Sequence, residues 1–276
     1  MSASEKISID SNIKKLAIIA GSGTLPRDLC RRVQRVSVEC HVIGFKGYTN
    51  YITPDFWGQV GRASRIIQYL KDNDIQDIVF IGGIDKPNIL SLRPDWVALK
   101  FFIQTWLRSF GDSNVLTAAR QQLEAMGFTV HGIHKFLPEL LMPQGDIGST
   151  SVQNTTHETI ALGVREALQL GHDVKGQAVI VNNGRVIARE GKRGTNRMIE
   201  TYGSPGAVLV KMCKPQQDKD MDLPTIGPRT VQLCAAKKMD GIVGHAGHML
   251  IAEQDKTVQL ADKHRLFIHG YMTHEE

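Results

Sequence analysis

The chain has 276 residues, 42% of them apolar and 22% charged, with a formal net charge of +5 and a pI near 9.0. These values fit a globular protein of one or two domains and exclude wholesale disorder. The basic excess is mild, and no dense Lys/Arg block with interleaved aromatics marks a nucleic-acid surface. An anionic ligand or an anionic membrane surface is the partner class it favours.

Residues 1–12 are polar and read as a tail without the apolar centre of a secretory signal. No apolar run approaches the ~20 residues that span a bilayer. The stretch 15–21, KLAIIAG, predicts a buried strand ending in glycine. Leu29, Val33 and Val36 lie at helical spacing within 26–36, and Pro26 suits the first turn. HVIGF (41–45) predicts a strand, 63–73 a helix and DIVFIGG (77–83) a third buried strand. A strongly apolar helix is expected over 95–110, another helix over 114–127 stopped by Gly127, and a strand over 128–133. Strands alternating with helices predict a parallel sheet covered on both faces.

The texture changes near residue 135, and a linker is expected over 135–150 between domains at 13–134 and 151–276. The second half predicts a helix over 156–170 and a hairpin over 176–190 around a type I′ Asn183-Gly184 turn. It continues with a strand over 206–212, a helix over 228–239 with Pro228 at its start, and short strands in GIVGHAGHMLI and RLFIHGY. Cys30, Cys40, Cys213 and Cys234 are far apart and form no CxxC pair, which reads as reduced thiols of a cytosolic protein.

Several stretches can carry chemistry. AGSGTLP (20–26) joins a strand to a helix, where a phosphate can meet free N–H groups. The dinucleotide fingerprint is incomplete, because Pro26 stands where its third glycine belongs; from spacing alone a plain tight turn is the more common explanation. FIGGIDKP (80–87) ends a strand with Gly82 and Gly83 and supplies Asp85 and Lys86 at the same sheet edge. Asp112 suits a helix cap or a ligand contact. The His pairs of HGIH (131–134) and HAGH (245–248) sit in strand-like or turn-like contexts, which disfavours a histidine metal site.

The stretch KPQQDKDMDLPTIG (214–227) holds Asp218, Asp220 and Asp222. In an extended chain their side chains share one face. The D-x-D-x-D opening of a calcium loop is there, but Leu223 replaces its glycine and Arg229 its final glutamate, so an EF-hand is excluded. A magnesium-binding cluster, a cap, or an acidic loop neutralised by Lys211, Lys214 and Lys219 remain open.

The sequence resembles the LpxI-type UDP-2,3-diacylglucosamine pyrophosphatases from about residue 14 to the end. The resemblance rests on LAIIAGSGTLP, IGGIDKP, RPDW (93–96), FGDSNVL, LPELLMPQG, GQAVIVNNGRVIA, the GT at 194–195 and, most specifically, LVKMCKPQQDKDMDLPTIGPRTV. It implies an α/β protein of two domains, an N-terminal Rossmann-like parallel sheet and a C-terminal mixed α/β domain, with the substrate between them. It implies Mg2+-dependent hydrolysis of UDP-2,3-diacylglucosamine to 2,3-diacylglucosamine 1-phosphate and UMP, by a cytoplasmic protein peripheral at the inner membrane, and it admits a homodimer. By the resemblance, Asp222 is the catalytic aspartate, with Asp218 as second metal ligand, Lys214 offsetting phosphate charge, and Asp220 a surface charge. Gly21, Ser22, Gly23, Thr24, Leu25, Pro26, Gly82, Gly83, Lys86, Asp112, Gln177, Gly194, Thr195, Lys211, Gln217 and Thr225 are the expected substrate-binding residues. Trp96, Phe101, Phe102, Trp106 and Leu107 of the 95–110 helix are candidates for an acyl groove or for core packing. Arg193, Asn196 and His245 stand where the family pattern is acidic. A second reading follows from them: a divergent, catalytically weakened member that binds a nucleotide-linked lipid as a binding or regulatory module.

Overall fold

The computed structural model describes residues 10–59, 61–83, 113–153 and 156–273. The chain forms two compact α/β units, one of residues up to Pro138 together with Asp218–Asp222, the other of Glu139–Gln217 and Leu223 onward. Among the described residues no helix is long and apolar enough to cross a membrane.

The first unit is built on five parallel strands, β1 (Lys15–Ala20), β2 (Glu39–Phe45), β3 (Phe56–Gly58), β4 (Asp77–Ile81) and β5 (Thr129–His131), in the order β3-β2-β1-β4-β5. Helices α1 (Leu25–Gln34), α2 (Ala63–Asp72) and α3 (Ser113–Ala125) follow β1, β3 and the stretch after β4. Leu16, Ala17, Ile18 and Ala20 of β1 are fully buried, as a central strand covered on both faces requires. Each large aliphatic removed from water there contributes about 2 kcal/mol. The strand order reverses at β1, so the carboxyl ends of β1 and β4 flank the crevice where open parallel sheets accept ligands. The expected strand and helix over 77–83 and 114–127 appear as β4 and α3, whereas the 95–110 helix lies outside the described residues.

The second unit holds a mixed six-stranded sheet of β6 (Gly145–Ile147), β7 (Ala178–Asn182), β8 (Arg185–Arg189), β9 (Val208–Lys211), β11 (Gly241–His245) and β13 (Phe267–Tyr271). Their order is β6-β13-β11-β9-β7-β8, with β9, β11 and β13 parallel and the outer pairings antiparallel. β10 (Thr225–Ile226) and β12 (Leu250–Ile251) form a small parallel pair. The helices are α4 (His157–His172), α5 (Gly194–Tyr202), α6 (Pro228–Ala236) and α7 (Gln254–Lys263). The hairpin turn is as expected, since Asn183 and Gly184 both have positive φ, 46° and 68°. The stretch 135–150 contains β6, which pairs with β13.

Candidate active site

In the first unit, the two glycine turns at the carboxyl edge of the sheet meet. Gly21 N–H donates to the Ile81 carbonyl (2.8 Å), Ser22 N–H to Gly83 (2.8 Å) and Gly83 N–H back to Ser22 (3.2 Å). The Ser22 hydroxyl also donates to the Gly83 carbonyl, at 3.0 Å. A Cβ on Gly21 would lie 2.6 Å from the Gly82 backbone, and one on Gly82 2.6 Å from the Ser22 oxygen, with Gly82 at φ 96°. Glycine at both places is a packing requirement. Gly23 N–H donates to Asn50 Oδ1 at 3.1 Å. The N–H groups of residues 21–23 are therefore used within the protein, and a phosphate at this turn must be met by other donors. Thr24, Leu25 and Pro26 are buried at the start of α1, with Pro26 in its first turn. Lys86 and Asp112 lie outside the described residues, as do Asp85 and the RPDW stretch.

The acid segment joins the same unit and is a turn rather than an extended strand. Met221 and Asp222 N–H both donate to the Asp218 carbonyl, at 3.0 and 2.9 Å, and Asp218 Oδ1 caps the Asp220 N–H at 3.0 Å. The expectation that three carboxylates share one extended face is thereby corrected: Asp218 and Asp222 stand one helical turn apart. The reading of Asp220 as a surface charge is corrected as well, since its side chain is only 17% exposed. Asp220 pairs with Lys135 Nζ (2.9 Å) and Arg120 Nη1 (3.1 Å) and accepts the Gly132 N–H (3.0 Å). Arg120 Nη1 also pairs with Asp218 at 2.9 Å, while its Nε holds Glu124 at 2.7 Å. Burial alone would raise the Asp220 pKa, but the hydrogen bond and charge of Lys135, with Arg120 and Gly132, hold it below the usual carboxylate range. Met221, between the acids, is buried in the core of this unit, and Asp222 is exposed. Gly132 and Lys135 follow β5 directly, which places the acid segment at the carboxyl edge of the sheet, as are the glycine turns.

In the second unit the expected residues fall into separate local pairings. Glu190 accepts the Thr195 hydroxyl at 2.6 Å through one oxygen and the Gln177 N–H at 2.8 Å through the other. The Gln177 carbonyl accepts the Met212 N–H at 2.9 Å, and its buried Oε1 has no hydrogen-bond partner among the described residues. Lys211, buried at the end of β9, donates to the Thr225 carbonyl at 3.0 Å. Gly194 opens α5 with φ 76°. The Gln217 side chain accepts the Lys214 N–H at 3.4 Å, closing its own turn. Lys214 is half-buried beside it. No motif in the sequence marks Glu190, although the hairpin register places it opposite Gln177 and Ala178.

The LpxI N-terminal domain family matches residues 15–140 and the LpxI C-terminal domain family residues 143–269. The chain belongs to the LpxI family. A Caulobacter vibrioides protein named UDP-2,3-diacylglucosamine pyrophosphatase LpxI is 28% identical over 273 residues, spanning 94% of this chain and 98% of its own length.

Of the three residues expected to depart from the family pattern, Arg193 and Asn196 are exposed at the start of α5. His245 is buried, its Nε2 3.2 Å from the Thr273 hydroxyl and its ring packed edge-on against His248. Among the described residues no three His, Cys, Asp or Glu side chains form a group able to hold a metal alone. Magnesium is commonly held by one or two carboxylates, with waters and substrate phosphates completing its shell. Asp222, exposed, with Asp218 one turn away, fits that sparse donor set, whereas Asp220 is committed to Lys135, Arg120 and Gly132.

Proposed function

We propose that this LpxI protein hydrolyses the diphosphate of UDP-2,3-diacylglucosamine, giving 2,3-diacylglucosamine 1-phosphate and UMP, with Mg2+ as cofactor. The observation that carries the reading is the acid turn. Two of its aspartates are neutralised by Arg120 and Lys135, and the third, Asp222, is exposed. The Caulobacter relative's name supplies the substrate.

Cleaving a phosphoric anhydride needs an oriented water and compensation of charge on the phosphoryl oxygens. Asp222 is the residue that orients the water, with Asp218 assisting from the preceding turn. Lys214, four residues before Asp218, offsets phosphate charge. Mg2+, held by Asp222 and Asp218, would supply Lewis-acid compensation at the phosphates when bound. The glycine turns at 21–26 and 82–83, with Lys86 and Asp112, are proposed to receive one end of the substrate. Gln177, Gly194, Thr195, Lys211, Gln217 and Thr225 contribute from the second unit. The protein works at the cytoplasmic face of the inner membrane as a peripheral protein, where its acylated substrate resides, and a homodimer is compatible with this role.

One observation favours the second reading. Asp218 Oδ1 is already taken by Arg120 and by the Asp220 N–H, so a member with altered residues at 193, 196 and 245 binds its ligand without turnover if the other oxygen does not reach the metal. A single experiment separates the two: purified protein, Mg2+ and UDP-2,3-diacylglucosamine, followed for UMP release and for substrate binding by calorimetry. UMP above background supports the hydrolase; binding without UMP supports the module.

A further inference from the structure

We infer that Arg120 and Lys135 are positioning residues that clamp the 218–222 turn onto the first unit and so set the placement of Asp222; the kinetic half of this inference rests on the hydrolase reading. Arg120 sits on α3, 98 residues before Asp218 in the chain. Its guanidinium is fixed from two sides. Glu124, one turn further along α3, takes Nε at 2.7 Å, and Nη1 lies between Asp218 and Asp220 at 2.9 and 3.1 Å. A planar guanidinium holds its donors in fixed directions and so orients the carboxylates around it, whereas the three donors of an ammonium rotate freely. Lys135 grips Asp220 from the opposite element, just after β5, at 2.9 Å.

The backbone reinforces the grip. Gly132 N–H donates to Asp220 Oδ1, and a side chain at Gly132 would press within 2.7 Å of that same oxygen. Asp218 turns inward and caps Asp220 N–H while its carbonyl accepts Asp222 N–H. Met221 anchors the turn in the core. Asp222 is thus an exposed residue on a turn whose Asp218, Asp220 and Met221 side chains are held. The clamp also answers the like-charge problem, since three aspartates within five residues repel one another unless cations intervene. Arg120 and Lys135, both distant in sequence, pair with Asp218 and Asp220.

The test uses the full chain with three variants: Arg120→Ala, Arg120→Lys and Asp220→Asn, the last keeping side-chain size if Arg120→Ala folds poorly. Hydrogen exchange of the peptide covering 216–224 is measured beside kcat and KM for UMP release. Exchange in that peptide rises in Arg120→Ala and Asp220→Asn while the peptides of β1 and β4 stay protected. In both, kcat falls about 10- to 100-fold with KM little changed, the signature of a misplaced catalytic group. Arg120→Lys restores part of the protection and part of kcat. Unchanged exchange in both disrupting variants overturns the clamp. Raised exchange with wild-type kcat overturns the positioning role. A wild-type protein that releases no UMP overturns the hydrolase reading instead, and the exchange data then decide the clamp alone.

Discussion

At the scale of single residues, the acid turn assigns different work to three identical side chains. Asp220 and Asp218 hold the turn and Asp222 is left exposed, so their substitutions separate. Asp222→Asn is expected to lower UMP release at least about 100-fold without shifting the thermal midpoint, because an exposed carboxylate contributes little to folding; a steady-state assay beside a melting curve checks this. His134 provides a second test. Burial holds its pKa below the ordinary 6.5, against the opposing pull of Asp220. The unfolded chain therefore takes up this proton first as pH falls. The contribution is absent above about pH 6.5, and stability declines as pH drops from there toward the lowered folded value. His134→Gln is expected to flatten the pH dependence of the urea midpoint between about pH 7 and pH 5.

At the scale of elements, the contact between the two glycine turns ties the end of β1 to the end of β4. Gly82→Ala forces an L side chain into φ 96° and onto the Ser22 carbonyl. The expected loss is roughly 2–3 kcal/mol, read from chemical denaturation. The elements legible from sequence were those with long apolar runs bounded by glycine, such as β1, β4 and β9, or with a marked turn, such as the β7–β8 hairpin. β3, β6, β10 and β12 have two or three residues each and offer no period to read. The α7 helix buries only Thr257 and Ala261, so it shows no apolar stripe, and α5 buries only the adjacent pair Met198 and Ile199. The glycine turns could be placed on one edge because parallel strands share an edge. The clamp could not, since Arg120 and Lys135 lie far from the acids in sequence and no local spacing joins them.

At the scale of the whole molecule, two α/β units share one chain, and the LpxI domain families match both in order. The acid turn is held by Arg120, Lys135 and Gly132. Chelation is expected to abolish UMP release while lowering the melting temperature by no more than a few degrees, about the linkage of one weakly held ion, and added Mg2+ to restore activity; calorimetry of the chelated protein beside the assay checks both halves. The burial of Met221 has a practical consequence. Its side chain belongs to the core of the first unit, yet it adjoins Asp222 in the chain. An isotope-labelled Met221 methyl group is then a native spectroscopic reporter. Its chemical shift would follow docking of the turn in real time, during turnover or ligand titration, with every carboxylate and its charge left as it is.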